Sequence, residues 1–321
     1  MHFSILGTGH AAPDLAVTNE QLENLVDTTD EWIFTRSGIK ERRIMSGETM
    51  TDMCKKAAVE ALRDADVKPE ELDLIICATV KGDYISPSQA CLLQHELGAN
   101  CPAFDINAAC SGFLYALNVA DAFFSGDKVK KVLVVAMESL SKLVDWHDRA
   151  TCVLFGDGGG AAVLGAGEGL LSILTTAQGC VDPLNIPHVS GESPFEGEAM
   201  LHPTPTVNMS GQEVFKFAVN ALARDLQLAI ENAGLSQEDI DWVIPHQANI
   251  RIIDSAATRL NIPRERFYVN LSRYGNTSAG SIPIALDEMN KEGLLKNGQH
   301  IALVSFGAGL TTGACVIRWQ K

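Results

Sequence analysis

Apolar residues in this chain follow two alternating patterns. Short continuous runs, such as Val132 to Met137, Cys101 to Ile106 and Ile240 to Ile244, are bounded by charged or turn-forming residues and predict buried strands. Between them, apolar positions recur at helical spacing over Met50 to Ala65, Ser111 to Phe124, Gln212 to Asn232 and Asn249 to Leu260. Strands that alternate with helices predict an α/β fold of mixed, mostly parallel sheets layered with helices. The opening MHFSILGTGHAAP has no basic start, and Gly7 and Gly9 interrupt its apolar run, so it reads as a first strand and turn and not as a leader.

The pattern also repeats. VKPEELDLIICATV (67 to 80) answers to LSQEDIDWVIPHQA (235 to 248), and Asp73 and Asp241 lie 168 positions apart. FDINAACSGFLYAL (104 to 117) answers to YVNLSRYGNTSAGSIPIAL (268 to 286), with Gly112 and Gly280 again 168 apart. KKVLVVAME (130 to 138) matches QHIALVSFG (299 to 307) at an offset of 169. Three segments in nearly one register predict duplicated halves, 1–170 and 171–321, with the site beyond the strand carboxyl ends where the halves meet. The stretch 182 to 207, rich in Pro, His and Gly, is too irregular for a strand or helix and reads as a site cover or a surface insertion.

Composition narrows the classes. At 321 residues and 46% hydrophobic the chain is large enough for one large or two medium cores. No apolar run reaches the ~20 residues of a membrane span, so a cytoplasmic protein with no membrane partner is expected. A net charge of -15 disfavours nucleic acid and anionic membrane surfaces. Eight cysteines without a CxxC pair argue against a zinc site or a disulfide framework. FGDGGGAAVLGAG (155 to 167) has a formal GxGxxA pattern, but Ala161 to Leu164 reads as a strand where a dinucleotide fold needs a helix. It is read as a turn between adjacent strands, and nicotinamide binding is rejected.

Candidate chemistry sits where strands end. Cys110 follows an apolar strand through Asn107-Ala108-Ala109 and precedes a helix beginning near Ser111, among small neighbours that leave room for a substrate. A helix dipole worth up to ~2 kcal/mol raises the thiolate share at pH 7 from about 3% to roughly a third or a half, so the sulfur is expected to be activated by position. His246 follows Ile240 to Ile244 and Pro245, and Asn276 lies in the glycine turn that corresponds to the cysteine loop. A cysteine with two neutral donors suits thioester chemistry: sulfur holds one acyl group while the donors stabilise charge on the other reactant. Phe306-Gly307-Ala308-Gly309 follows a strand and is expected to offer backbone N–H groups as an oxyanion hole. Arg251, Arg259, Arg264 and Arg266 form a local basic patch suited to an acidic carrier.

These residues resemble the initiating, type III β-ketoacyl-acyl carrier protein synthase family, which has the thiolase fold in αβαβα layers. The segments that carry the resemblance are DTTDEWIFTRSGIKERR (27 to 43), FDINAACSGF (104 to 113), DWHDRATCVLFGDGGGAAVL (145 to 164), IPHQAN (244 to 249), GNTSAGSIP (275 to 283) and SFGAGLTTGA (305 to 314). The resemblance implies that Cys110 accepts an acyl primer from coenzyme A. His246 and Asn276 then bind the malonyl thioester of an acyl carrier protein as it decarboxylates, and the backbone of Cys110 and Ala308 forms the oxyanion hole. It also implies that Trp32 and Arg149 sandwich the coenzyme A adenine, with Thr28, Arg36 and Gly211 in the same tunnel, and that Lys216 and Arg251 meet the carrier. A homodimer, with no cofactor beyond the coenzyme A thioester and no metal, is implied as well.

Elongating relatives place a second His where this chain has Asn276, and thiolases rely on a second cysteine, so the triad favours the initiating class. Ser86 stands where acetyl-selective members carry Phe, which implies a wider acyl pocket. A starter enzyme of polyketide or quinolone-type synthesis shares every one of these motifs. A cysteine hydrolase shares Cys, His and Asn but not the paired halves, and a noncatalytic thioester binder would be marked by loss of a triad residue.

Overall fold

Each apolar run settles into one of two sheets. The computed structural model describes residues 2–188, 195 and 204–321. The first sheet holds β1 (His2–Ala11), β2 (Leu74–Ala78), β3 (Ala103–Ile106), β4 (Lys131–Ser139) and β5 (Asp157–Gly167), in the order β1-β5-β4-β2-β3. The second holds β6 (Leu170–Cys180), β7 (Trp242–Pro245), β8 (His300–Gly307) and β9 (Gly309–Arg318), in the order β7-β8-β9-β6. With β6 for β1, β9 for β5, β8 for β4 and β7 for β2, one order describes both sheets. At the edge where the first sheet has β3, Phe267 makes a parallel bridge to Val243.

Parallel pairing is narrower than expected. It joins β3, β2 and β4 in one sheet and β7 and β8 in the other, while β1-β5, β5-β4, β8-β9 and β9-β6 are antiparallel. For β8 and β9 the reason is connection length: they are joined through Ala308 alone, and a parallel pair needs a crossover of a dozen or more residues.

The helices α1 (Met50–Asp64), α2 (Gln89–Leu97), α3 (Gly112–Ser125), α4 (Gly211–Asn232), α5 (Ile250–Leu260) and α6 (Ser281–Lys291) complete five layers. In α1, Met50, Met53, Cys54, Ala57, Ala58, Ala61 and Leu62 are buried at alternating steps of three and one, so a single stripe packs on the first sheet. Thr49 starts the helix by accepting the Asp52 N–H. Helices α4 and α5 cover the second sheet, while α3 and α6 lie between the two sheets in a shared core. Strand β4 shows how the layers divide the sequence. Val132, Val134 and Ala136 face the central core, and Leu133, Val135 and Met137 face α1 and α2.

The structure corrects the register of the repeat at the site. Asn107 Oδ1 accepts the Ala109 N–H at 3.1 Å, and Asn276 Oδ1 accepts the Ser278 N–H at 2.9 Å. Ala109 and Ser278 both take a left-handed φ, 49° and 50°. The offset here is therefore 169, so Cys110 matches Ala279, and Gly112 matches Ser281 and not Gly280. The 155–167 string is also corrected: it is no turn, since Asp157–Gly167 forms β5. Within 182–207, residues 189–194 and 196–203 lie outside the described residues. One end does form a strand, because Leu184–Asn185 pairs with Asn208–Met209. Among the described residues no helix is long and apolar enough to cross a membrane.

Candidate active site

Cys110 lies in a single 3-10 turn, Ala109–Ser111, between β3 and α3. Its loop belongs to the first half but is held by the second. Ser305 Oγ donates to the Cys110 carbonyl at 2.7 Å, and Thr311 Oγ1 donates to the Ala108 carbonyl at 2.9 Å. Gly307 lies against the same turn, where an added Cβ would stand 2.7 Å from the Cys110 nitrogen. Only a residue without a side chain allows that approach.

The expected thiolate is not found. Burial pushes the Cys110 thiol up to about 12, with the nearby Ser278 hydroxyl opposing the rise and Glu138 adding to it. Loss of hydration outweighs the dipole here, since Cys110 precedes the first turn of α3 and sits against an apolar cavity. Activation therefore needs a proton acceptor and not position alone.

His246 follows β7 directly. Its backbone N–H donates to the Val304 carbonyl at 2.8 Å, and the ring packs edge-on to Phe306 at 5.3 Å. Nδ1 is 2.7 Å from Ser281 Oγ, which also accepts the Gln247 N–H at 3.4 Å. When the serine hydrogen is given to Nδ1, the imidazole carries its own hydrogen on Nε2. Burial lowers the ring to about 3, so it is a neutral donor.

Asn276 is fixed just as firmly. Its N–H donates to the Leu154 carbonyl at 2.8 Å, its carbonyl accepts from Gly156 at 3.0 Å, and Oδ1 is committed to Ser278. The amide Nδ2 is left as the free end of the side chain. Cys110, His246 and Asn276 all line one cavity of about 230 Å³. Its walls are largely apolar, with Leu140, Phe155, Val207, Met209, Val214 and Phe306 among them.

Ala308 and Gly211 line the same cavity. Among the described residues a Cβ at Gly211 would meet no atom within 4 Å, so their packing does not require glycine there. Trp32 packs against the apolar cluster that includes Val207 and Met209, and both Arg36 and Arg149 stack on its ring, at 4.7 and 4.8 Å. Arg149 thus rests on the indole, where a sandwiched ring would have to enter. Nearby Thr28 has a buried hydroxyl without a hydrogen-bond partner.

Ser86 does not join them. It lies outside the cavity wall of its own chain, on a loop where Tyr84 and Ile85 are 62% and 87% exposed. The basic patch also shrinks. Arg264 is paired with Asp254 at 2.6 Å, Arg266 is spent on the Gln237, Glu238 and Ile240 carbonyls, and Arg259 bonds Asn220 at 2.6 Å. Arg251, over the Phe215 ring at 5.6 Å, and exposed Lys216 remain.

Sequence reasoning missed Glu138, Ser278 and Ser281. Glu138 is fully buried at the site, and a carboxylate closing the apolar run of β4 was the available signal.

Residues 104–180 match the family model described as 3-oxoacyl-(acyl-carrier-protein) synthase III, and residues 230–319 match the model of its C terminal part. The chain is 49% identical over 321 residues to the beta-ketoacyl-(acyl-carrier-protein) synthase III of Clostridium acetobutylicum, covering 99% of this chain and 98% of that one. The crystal structure of 3-oxoacyl-(acyl-carrier-protein) synthase III from Aquifex aeolicus superposes with a TM-score of 0.92 at 48% identity, covering 99% and 100% of the two chains. A priming beta-ketosynthase from a polyketide biosynthetic pathway superposes with a TM-score of 0.91 at 35% identity, covering 100% of this chain and 97% of that one.

Proposed function

Since this chain belongs to the beta-ketoacyl-(acyl-carrier-protein) synthase III family, an acyltransferase family of thiolase-like fold that carries out the initiating condensation of fatty acid synthesis, we propose that it works through an acyl-Cys110 intermediate. The Cys110 sulfur attacks the thioester carbon of an acyl-coenzyme A, and coenzyme A leaves. The N–H groups of Cys110 and Ala308 take up the charge that develops on the carbonyl oxygen. Malonyl-acyl carrier protein follows, its thioester oxygen held by His246 Nε2–H and Asn276 Nδ2–H. The bond to the carboxylate breaks, carbon dioxide departs, and the electron pair remains as an enolate. That carbon attacks the acyl-cysteine, the thiolate is expelled, and a 3-oxoacyl-acyl carrier protein is released.

The observation that carries this reading is the convergence of Cys110, His246 and Asn276, from both halves, on one cavity. A neutral His246 suits it, because a donor with no positive charge stabilises the enolate without surrendering a proton to it. Thr28, Trp32, Arg36, Arg149 and Gly211 hold coenzyme A, with Arg149 lifting from the indole to admit the adenine. Lys216 and Arg251, which form no ion pair among the described residues, meet the acidic carrier on a chain of net charge -15. The enzyme is cytoplasmic and homodimeric, with the exposed Tyr84-Ile85-Ser86 loop on the partner subunit and Ser86 at the acyl end of its pocket. The reading as a polyketide starter enzyme is the weaker one, since identity is lower to the priming ketosynthase than to the Aquifex enzyme.

Intact mass after separate incubation with acetyl, isobutyryl and octanoyl coenzyme A tests the proposal. The expected result is one acyl adduct on the native protein and none on Cys110→Ala. No adduct with any thioester, or an adduct that survives Cys110→Ala, overturns it.

A further inference from the structure

One ionisable side chain in the site has no part in the chemistry above. Glu138 is fully buried near the end of β4. Its Oε2 accepts from Thr79 Oγ1 and the Val80 N–H, both at 3.2 Å, and the Ala279 N–H also favours the ionised carboxyl group. Its Oε1 accepts from Ser278 Oγ at 3.1 Å, and Ser278 lines the same cavity as Cys110, where its hydroxyl opposes the rise that burial imposes on the thiol. A single hydroxyl therefore borders both the carboxyl group and the nucleophile. Among the described residues no lysine, arginine or histidine forms an ion pair with Glu138. The titratable groups that act on it are Cys110 across Ser278 and Cys77 on the neighbouring strand β2.

We propose that Glu138 accepts the Cys110 proton, through the Ser278 hydroxyl, when the acyl-enzyme forms. The S–H bond breaks, the Ser278 oxygen takes that hydrogen and passes its own to Glu138 Oε1, and the sulfur pair bonds the acyl carbon. Coenzyme A leaves as the thiolate and is protonated by water. When condensation later expels the Cys110 thiolate, the proton returns from Glu138 by the same path, so the site ends as it began. His246 does not compete for this role. Burial holds the imidazole at about 3, too weak a base to keep a proton, whereas it pushes the Glu138 carboxyl up to about 8, within exchange range at neutral pH. The inference rests on Cys110 being the nucleophile.

The test is the rate of Cys110 alkylation by iodoacetamide from about pH 6 to pH 10, read by mass spectrometry on the peptide that contains Cys110. Native protein, Glu138→Gln and Ser278→Ala are compared, with circular dichroism as a check of folding. The native rate is expected to rise through an inflection near 8. In both variants the inflection moves up by about one pH unit or more, and the rate at pH 8 falls about tenfold. A native profile in either folded variant, or a fall in rate with the inflection unmoved, overturns the relay. Iodoacetamide needs neither coenzyme A nor a carrier. A missing acyl adduct beside the expected alkylation profiles therefore counts against the condensation reading and not against the relay.

Discussion

Glu138 and Gly307 occupy the same place in the two halves of the molecule, and they do opposite things there. Strands β4 and β8 correspond at an offset of 169, which sets Glu138 against Gly307 and Ala279 against Cys110. Each residue lies on the loop of the other half. The Ala279 N–H acts on the Glu138 carboxyl, while Gly307 presses bare backbone toward the Cys110 nitrogen. One turn is thus built twice. In the second half it is filled by a carboxyl oxygen of the protein itself, and in the first it is left open by a missing side chain. The filled copy indicates what the open copy is shaped to receive: an oxygen that accepts a backbone hydrogen bond.

Closing the open copy is the severest way to break that contrast. Gly307→Ala places a methyl group 2.7 Å from the Cys110 nitrogen, where backbone and not a flexible side chain must yield. Acyl-enzyme formation, followed by intact mass over time, is expected to slow about 10²- to 10³-fold, the usual cost of losing an oxyanion donor. A native rate would mean that the opening at Gly307 has no bearing on the oxyanion.

Next in size is Asn276→Ala, which removes the cavity donor while leaving Cys110 in place. Condensation with malonyl-acyl carrier protein is expected to fall about 10²-fold with the first acyl transfer nearly unchanged. Equal losses in both half-reactions would place Asn276 on the wrong one.

Proton linkage sharpens the comparison, because only the filled copy carries a titratable group. Burial raises Glu138 to about 8 from its ordinary 4.5 and lowers His246 to about 3 from 6.5. Between pH 6.5 and 8 the folded protein holds a proton that the unfolded Glu138 has released, so stability falls as pH rises. Below 4.5 the unfolded His246 takes a proton that the folded ring refuses, so stability falls as pH falls. Between 4.5 and 6.5 the two slopes oppose each other. Each is worth at most about 1.4 kcal/mol per pH unit. In urea unfolding, Glu138→Gln is expected to lack about 2 kcal/mol of the native decline between pH 6.5 and 8. An identical decline in the variant would mean that Glu138 is already ionised in the folded state.

What the sequence made legible follows from how local each signal was. Cys110, His246 and Asn276 each stand a few residues from an apolar strand or inside a glycine turn, so pattern and repeat located them. Glu138 left only a slight local signal, a carboxylate closing an apolar run, because its neighbours Thr79, Ser278 and Ala279 come from another strand and the other half. The same holds for the arginines. Arg264 reads as a free charge until Asp254 is brought beside it, ten residues back along the chain. The protonation of Cys110 was misjudged because the dipole is written in the local sequence, whereas desolvation depends on cavity walls assembled from distant segments. Ser86 depends on something further still, since it is not among the residues that line the cavity of its own chain and its expected place at an acyl pocket needs a partner subunit.

The smallest effect is expected at Asn107, and its smallness is informative. Asn107 and Asn276 make the same turn, each bonding the N–H two residues on and holding the next residue but one at a left-handed φ. They differ in place: Asn276 is buried and lines the cavity, whereas Asn107 is exposed and does not. Asn107→Ala therefore loses a turn bond and nothing more, which costs about 1 kcal/mol of stability. The turn is also pinned from the second half by Ser305 and Thr311, so Cys110 keeps its position without the asparagine. Acyl-enzyme formation is expected to stay within about threefold of native, less than the tenfold that 1.4 kcal/mol would bring. A loss at Asn107→Ala as large as that at Asn276→Ala would assign the asparagine effect to turn geometry and remove Nδ2 of Asn276 from the chemistry.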